Sequence, residues 1–316
     1  MSRLLLIGAA LAACASTALS AEVWKANFDS DADGVVDIYD NNPSKVMIGP
    51  ASGGKLEIVS HDTYFPHAGE SFAPTTDRAG RPLGVSVNGH SEFSALYTFN
   101  WSSLNETTTE RYHFAGFLGS PATNPGTSRG GWIGALLRPS KTAGGDYRLR
   151  VGAQWGTLYG QDRNAFAPQI TLASGGANPY NTTYQLAISY QGDYLGDTGR
   201  MYLQVDLYNA SEGKLIATTA GLANLDNIDG LLPWGTDPAA KEAALTACVP
   251  THLGWSDYNA HGVASGGSIP AAVWQVHSLA FYDTFDGALN AVPEPASLLM
   301  CAAGAAALFR RRHPRC

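Results

Sequence analysis

Five aspartates crowd into Phe28-Asp-Ser-Asp-Ala-Asp-Gly-Val-Val-Asp-Ile-Tyr-Asp-Asn41, and their spacing is that of a cation loop. Asp29, Asp31, Asp33, Asp37 and Asp40 fall at positions 1, 3, 5, 9 and 12 of a twelve-residue stretch, with Gly34 at position 6 and Val35 at position 7. Such spacing curls a chain so that hard carboxylate oxygens, joined by the Val35 carbonyl, converge on one ion, and glycine permits the sharp turn. Carboxylates this close repel one another unless a cation offsets them. A structural Ca2+ is therefore expected here. The alternative is an acidic surface turn. Position 12 is Asp where an EF-hand has Glu, and no amphipathic helix precedes the loop.

Two further stretches have the composition of a sugar site. Gln154-Trp-Gly-Thr-Leu-Tyr-Gly-Gln-Asp-Arg163 offers Trp155, Tyr159, Gln161 and Asp162; Leu253-Gly-Trp-Ser-Asp-Tyr-Asn259 offers Trp255, Asp257, Tyr258 and Asn259. An aromatic face stacks on pyranose C–H groups while amides and carboxylates bond the hydroxyls. The competing reading makes Trp155 and Trp255 core residues that end strands. Two catalytic signatures are lacking: there is no His-Glu-x-x-His helix and no phosphate loop. His61 and His67 flank Tyr64-Phe-Pro66, and His252 and His261 bracket Trp255 and Tyr258; both pairs read as loop or core histidines.

The elements that must position these residues are strands. In residues 92 to 101, Phe93, Ala95, Tyr97, Phe99 and Trp101 share one face, and the same period of two runs through 147 to 155, 184 to 190 and 201 to 208. Further strands are expected at 55–60, 111–118, 132–138, 214–219 and 273–282. Glycine pairs at 53–54, 130–131, 144–145 and 175–176 supply turns. One helix is expected, Asp237 capping a run to Ala247 with Pro238 in its first turn. About ten strands without βαβ spacing predict an all-β fold, two antiparallel sheets packed face to face as a jelly-roll sandwich.

Residues 21–291 have room for a single β domain. The chain carries a net charge of −7, and the body is more acidic still once the basic residues of its two ends are set aside, so nucleic acid is not an expected partner. The first 20 residues read as a signal peptide: basic Arg3, an apolar stretch, and small residues suited to cleavage after Ser20 or Ala21. Leu11-Ala-Ala-Cys14 offers lipidation as an alternative. At the other end, residues 296–309 form an uncharged run, ~21 Å long as a helix against a hydrocarbon core of ~30 Å. Arg310, Arg311 and Arg312 lengthen it by snorkelling and hold that end in the cytoplasm. Of four cysteines, Cys14, Cys301 and Cys316 lie in the segments expected to be removed, leaving Cys248 without a disulfide partner.

Three resemblances follow from these residues. The aspartate loop resembles the calcium loops of thrombospondin type 3 repeats and dockerins. The opening Trp24-Lys-Ala-Asn-Phe-Asp, Gly54-Lys-Leu-Glu-Ile-Val and Val276-His-Ser-Leu-Ala-Phe-Tyr-Asp resemble the first and last strands of concanavalin A-like, laminin-G-like jelly rolls. Retaining glucanases of that fold carry a Glu-x-Asp-x-x-Glu strand, and none of Glu57, Glu70, Glu92, Glu106, Glu110, Glu212 or Glu242 sits in one. The last 25 residues, 292–316, with Pro293-Glu294-Pro295, an alanine-rich run and terminal arginines, resemble the PEP-CTERM sorting signal. That resemblance implies signal peptidase and an exosortase as partners, transient inner-membrane anchoring by the tail, and delivery to the cell surface or extracellular matrix. The expected function is non-enzymatic, carbohydrate-binding or structural, with an extracellular polysaccharide as partner; the alternative is a polysaccharide hydrolase or lyase with a dispersed site.

Overall fold

The computed structural model describes residues 22–39, 46–60, 78–104, 106, 113–119, 132–156, 162–193, 201–220, 238–257 and 272–292. Among them, sixteen strands follow in chain order: β1 (Glu22–Ala26), β2 (Val36–Tyr39), β3 (Val46–Ala51), β4 (Leu56–Ser60), β5 (Arg78–Pro82), β6 (Glu92–Ser103), β7 (His113–Gly119), β8 (Trp132–Lys141), β9 (Tyr147–Gly156), β10 (Asp162–Phe166), β11 (Ile170–Ala173), β12 (Tyr184–Gln191), β13 (Tyr202–Asn209), β14 (Lys214–Thr218), β15 (Pro250–Asp257) and β16 (Ala272–Tyr282). Helices α1 (Pro238–Ala247) and α2 (Gly287–Ala291) complete the set, with a 3-10 turn at Pro179–Asn181. Sheet A runs β14-β13-β12-β6-β16-β4-β3, with β1 also on β16; sheet B runs β10-β9-β8-β7-β15-β5-β2, with β11 also on β9. Every pairing is antiparallel. This is the jelly-roll sandwich expected from alternation.

Alternation works because a strand sends successive side chains to opposite faces. Phe93, Ala95, Tyr97 and Phe99 of β6 stand opposite Tyr190, Ile188, Leu186 and Tyr184 of β12, all in the core. Sheet B answers with Ala115 and Phe117 of β7, Ile133, Ala135 and Leu137 of β8, Leu149, Val151 and Ala153 of β9, and Leu253 and Trp255 of β15. The Phe93 and Phe117 rings meet across the core at 4.4 Å, and Tyr97 meets Trp255 edge-on at 5.5 Å. Each such ring removed from water contributes about 2–3 kcal/mol. Tyr97 also carries its hydroxyl across to sheet B, donating to the Gly254 carbonyl at 3.0 Å, which satisfies a polar group that burial would otherwise penalise. Burial holds that phenol well above its ordinary pKa.

β2, β3, β5, β10, β11 and β15 were not among the expected strands. Arg78-Ala-Gly-Arg-Pro82 and Pro250-Thr-His-Leu-Gly-Trp-Ser-Asp257 lack clean alternation because glycine replaces a side chain on the outer face, Gly80 and Gly254 respectively. α1 begins at Pro238 as expected; Asp237 lies outside the described residues. α2 was not expected. Among the described residues no helix is long and apolar enough to cross a membrane, and the tail from Pro293 onward lies outside them.

Candidate functional site

The aspartate loop closes upon itself. Asp33 has φ +50° and Gly34 φ +79°, and the Asp33 carboxylate accepts from the backbone N–H of Asn27 at 2.9 Å and Phe28 at 3.3 Å. Asp31 Oδ1 accepts from the Asp33 N–H at 2.7 Å, and the Val35 N–H bonds the Ala32 carbonyl. The Val35 side chain is buried, Asp29 and Asp31 are exposed, and Asp37 has joined β2 opposite Ala79. The donors suit a hard cation, yet among the described residues no three His, Cys, Asp or Glu side chains gather as a metal site. Asp40, which would close the loop, lies outside them.

The two sugar stretches separate. Trp255 is 1 % exposed and packs on Tyr97 in the core, so its ring faces no ligand; here the core reading corrects the binding one. Trp155 lies in β9 opposite Ile133 and Arg163, Asp162 starts β10 opposite Gly156, and Asp257 ends β15 opposite His113, but their side chains are outside the description. Tyr159, Gln161, Tyr258 and Asn259 lie outside it altogether, as do Pro293, Glu294, Pro295, Arg310, Arg311 and Arg312.

What the strands bring together are two outer faces. On sheet A, Tyr202, Gln204, Asp206 and Tyr208 alternate with core Leu203, Val205 and Leu207. Asp206 accepts from Gln204 Nε2 at 2.6 Å, from Tyr208 at 3.5 Å and from the Thr218 hydroxyl, and Tyr202 donates to Gln204 Oε1 at 3.2 Å. Burial, then the Asp206 carboxylate, pushes the Tyr208 phenol up to about 12. Beside this ladder α2 covers Leu96, Ala187, Ala280 and Tyr282, and Ser94 pins it by donating to the Thr284 carbonyl and accepting the Ala288 N–H. Further along, Asn100 links His277 at 2.7 Å to Gln275 at 3.1 Å, which also accepts from Lys55. Burial lowers the pKa of His277.

The outer face of sheet B is different. Gly80, Gly254, Gly116, Gly134 and Gln154 stand opposite one another across β5, β15, β7, β8 and β9. The neighbouring backbones approach so closely that a Cβ on Gly254 would lie 2.0 Å from the Ala79 carbonyl oxygen, and one on Gly134 would lie 2.5 Å from that of Ala115. Only glycine fits. Ile38 and Phe114 lean over the ends of this row, within 3.1 Å and 3.0 Å of where the Gly80 and Gly134 Cβ atoms would be. Gln154 is fully buried, and neither its amide oxygen nor its nitrogen has a hydrogen-bond partner. Two residues along β9, Gly152 makes room for the Phe166 ring, over which the Arg138 guanidinium sits at 5.0 Å. Arg138 stands directly opposite Arg150, and Arg148 opposite Ser140. His252 shares this face, its Nδ1 2.8 Å from the Thr251 hydroxyl and its pKa lowered by burial.

His90 stands between Asp193 at 3.0 Å and Glu242 at 3.1 Å, tying α1 to the end of β12. A cleft of about 330 Å³ opens between the edges β11 and β14, lined by Ile170, Leu172, Tyr184, Leu215 and Ile216 with Asn209 and Lys214.

No known family model and no characterised protein sequence matches the chain. Solved structures similar in fold include the PL-14 alginate lyase of Aplysia kurodai (TM-score 0.45, 9% identity, 84% of this chain and 100% of that one). The endo-1,3-beta-glucanase (laminarinase) catalytic domain of Thermotoga petrophila RKU-1 is similar too (TM-score 0.41, 13% identity, 84% and 98%). So is the botulinum neurotoxin serotype G binding domain (TM-score 0.40, 9% identity), of which the chain spans 49%.

Gln154 was legible only as the first letter of an aromatic cluster. The glycine row and the arginines of β8 and β9 were missed because they meet only across strands; the one signal for them was a glycine or arginine at alternate positions of adjacent strands.

Proposed function

We propose that this is an exported, non-enzymatic β-sandwich that binds carbohydrate with the outer face of sheet B. The observation that carries the reading is the buried, unpartnered amide of Gln154 at the end of a row without side chains, since such a group costs about 1–3 kcal/mol unless something bonds it. A sugar hydroxyl is both donor and acceptor and answers an amide at either atom. Three strand spacings of ~4.8 Å, roughly 14 Å in all, separate the strands of His252 and Gln154. That spread supports a binding surface over a reacting centre, in which a base and the group that orients the substrate lie within hydrogen-bond reach. The alternative, a polysaccharide hydrolase or lyase, is the activity named for two of the similar structures.

The tail reading joins this one: signal peptidase and an exosortase process the two ends, and the body is delivered to the cell surface or matrix after transient anchoring in the inner membrane. Calcium belongs to the same proposal, with Asp29, Asp31, Asp33, Asp37 and Asp40 and the Val35 carbonyl closing round an ion that stabilises the N-terminal edge. Chelation should then lower the melting midpoint by a few degrees, at ~2–4 °C per kcal/mol. An unchanged midpoint across chelator and millimolar calcium leaves the loop an acidic turn. For the main reading, a glycan array and a reducing-sugar release assay on the full chain are expected to give binding without turnover; turnover abolished by a single carboxylate substitution would instead establish the enzyme, and silence in both would leave a structural protein.

A further inference from the structure

We propose that the glycan taken by the outer face of sheet B is anionic, a polysaccharide bearing carboxylate or sulfate groups, and that Arg138, Arg148 and Arg150 read its charge. The inference rests on the carbohydrate reading and adds the class of ligand. The chain as a whole is acidic, with a net charge of −7. Yet three arginines gather on one face of two adjacent strands, fixed outward because their neighbours Leu137, Leu149 and Val151 are in the core. Arg138 and Arg150 are direct cross-strand partners, and like charges so placed oppose the pairing of their strands. Arg138 and Arg150 make contacts of their own within the fold, and the Arg138 guanidinium lies over the Phe166 ring above Gly152. Aromatic support of this kind fixes the cation's direction.

The spacing fits a chain of repeated charges. Arg138 and Arg150 are one strand apart, ~4.8 Å, and Arg148 lies two residues from Arg150, ~6.8 Å along β9. Guanidinium is the group suited to the task, since its planar fork meets a carboxylate or sulfate with two parallel hydrogen bonds. Gln154 continues the same outer side of β9 beyond Gly152, where its amide meets a hydroxyl of the next ring. Each subsite thus joins one cation to one neutral bonding group. A neutral glucan offers the second alone.

Affinity electrophoresis of the full chain through gels containing polygalacturonate or dextran tests this. Retardation by polygalacturonate is expected, with little by dextran, and it should weaken as salt is raised. Arg150→Gln should lose about tenfold in affinity for polygalacturonate, with Arg150→Lys intermediate because charge survives while the fork is lost. If Arg150→Gln fails to fold, as judged by its denaturation midpoint, Arg148→Gln on the rim of the same patch takes its place with the same expected direction. Equal retardation by both polymers, unchanged in the folded arginine variant, would overturn the charge reading and leave carbohydrate binding standing. No retardation by either polymer, with a blank glycan array, would overturn both.

Discussion

On the outer face of sheet A, alternate residues of β13 are polar and bonded to one another, and α2 closes over the strands beside them; on the outer face of sheet B the corresponding positions are glycines, arginines and an amide without a partner. The two faces obey the same alternation. They differ in whether the fold satisfies itself. Sheet A leaves the Gln185 amide oxygen and the Ser189 hydroxyl unbonded, one atom of each side chain in the strand packed against α2, whereas Gln154 leaves both ends of an amide unbonded. A face finished by its own hydrogen bonds has little left to offer a ligand. A face that withholds them retains a cost of about 1–3 kcal/mol per group, recoverable only by something that binds.

The largest test of this contrast is steric. Gly254→Ala puts a methyl 2.0 Å from the Ala79 carbonyl oxygen and 2.4 Å from the Gly80 Cα, both backbone atoms that cannot swing aside. Overpacking against backbone should cost at least ~3 kcal/mol, read as a shift in denaturation midpoint or as failure to fold. Thr98→Ala, on the half-buried outer face of sheet A, should cost less than about 1 kcal/mol. Similar losses at the two positions would mean that the glycine row has no special geometry.

Much of sheet A was legible in the sequence because the core-facing positions of its strands are uniformly apolar, so Phe93 to Trp101 and Met201 to Leu207 announce themselves by period. Sheet B was legible in β7, β8 and β9 and opaque in β5 and β15. There the outward residue is Gly80 or Gly254, whose absent side chain removes the polar half of the alternation. The aromatic clusters misled in one respect: Trp255 is aromatic, flanked by polar residues and yet core, since Ser256 and Gly254 take the outward positions. Nothing in a linear reading brings Arg138 beside Arg150, because the turn between them fixes the register.

Acid should weaken sheet B through its inner side. His113 alternates with core Ala115 and Phe117 and is buried, and desolvation lowers its pKa to about 4 from 6.5. Between those values the unfolded chain binds a proton that the folded chain refuses. Stability is therefore full above about pH 6.5 and falls as the pH drops toward 4, by up to ~3 kcal/mol. Denaturation midpoints measured from pH 7 to 4.5 should decline, and His113→Gln should flatten the decline. An unchanged slope in that variant would move the acid sensitivity elsewhere, with the half-buried His277 of sheet A the next group to examine.

On sheet A, the ladder should be stabilising. Thr218→Val removes the hydroxyl that Asp206 accepts and leaves one carboxylate oxygen short of a donor in a residue 3 % exposed. Bonds to charged groups contribute about 1.5–3 kcal/mol, so a loss of ~2 kcal/mol is expected in denaturation. Binding to any glycan should not change. A variant that folds as stably as the parent would show the ladder to be idle and erase half of the contrast.

The smallest effect has the opposite sign, which makes it the sharpest. Gln154→Leu replaces an unpartnered buried amide with an apolar group of similar length, and the desolvation cost it carried disappears. Stability should rise by about 1 kcal/mol, as is common where a functional group has been kept against the interest of the fold. Glycan retardation should fall in the same variant, because the bond that the amide reserved for a hydroxyl is gone. Stability and binding moving in opposite directions would mark Gln154 as a ligand-reading group. If instead the substitution destabilises, the amide is bonded in solution by a trapped water or a neighbouring segment, and the outer face of sheet B is as self-satisfied as that of sheet A.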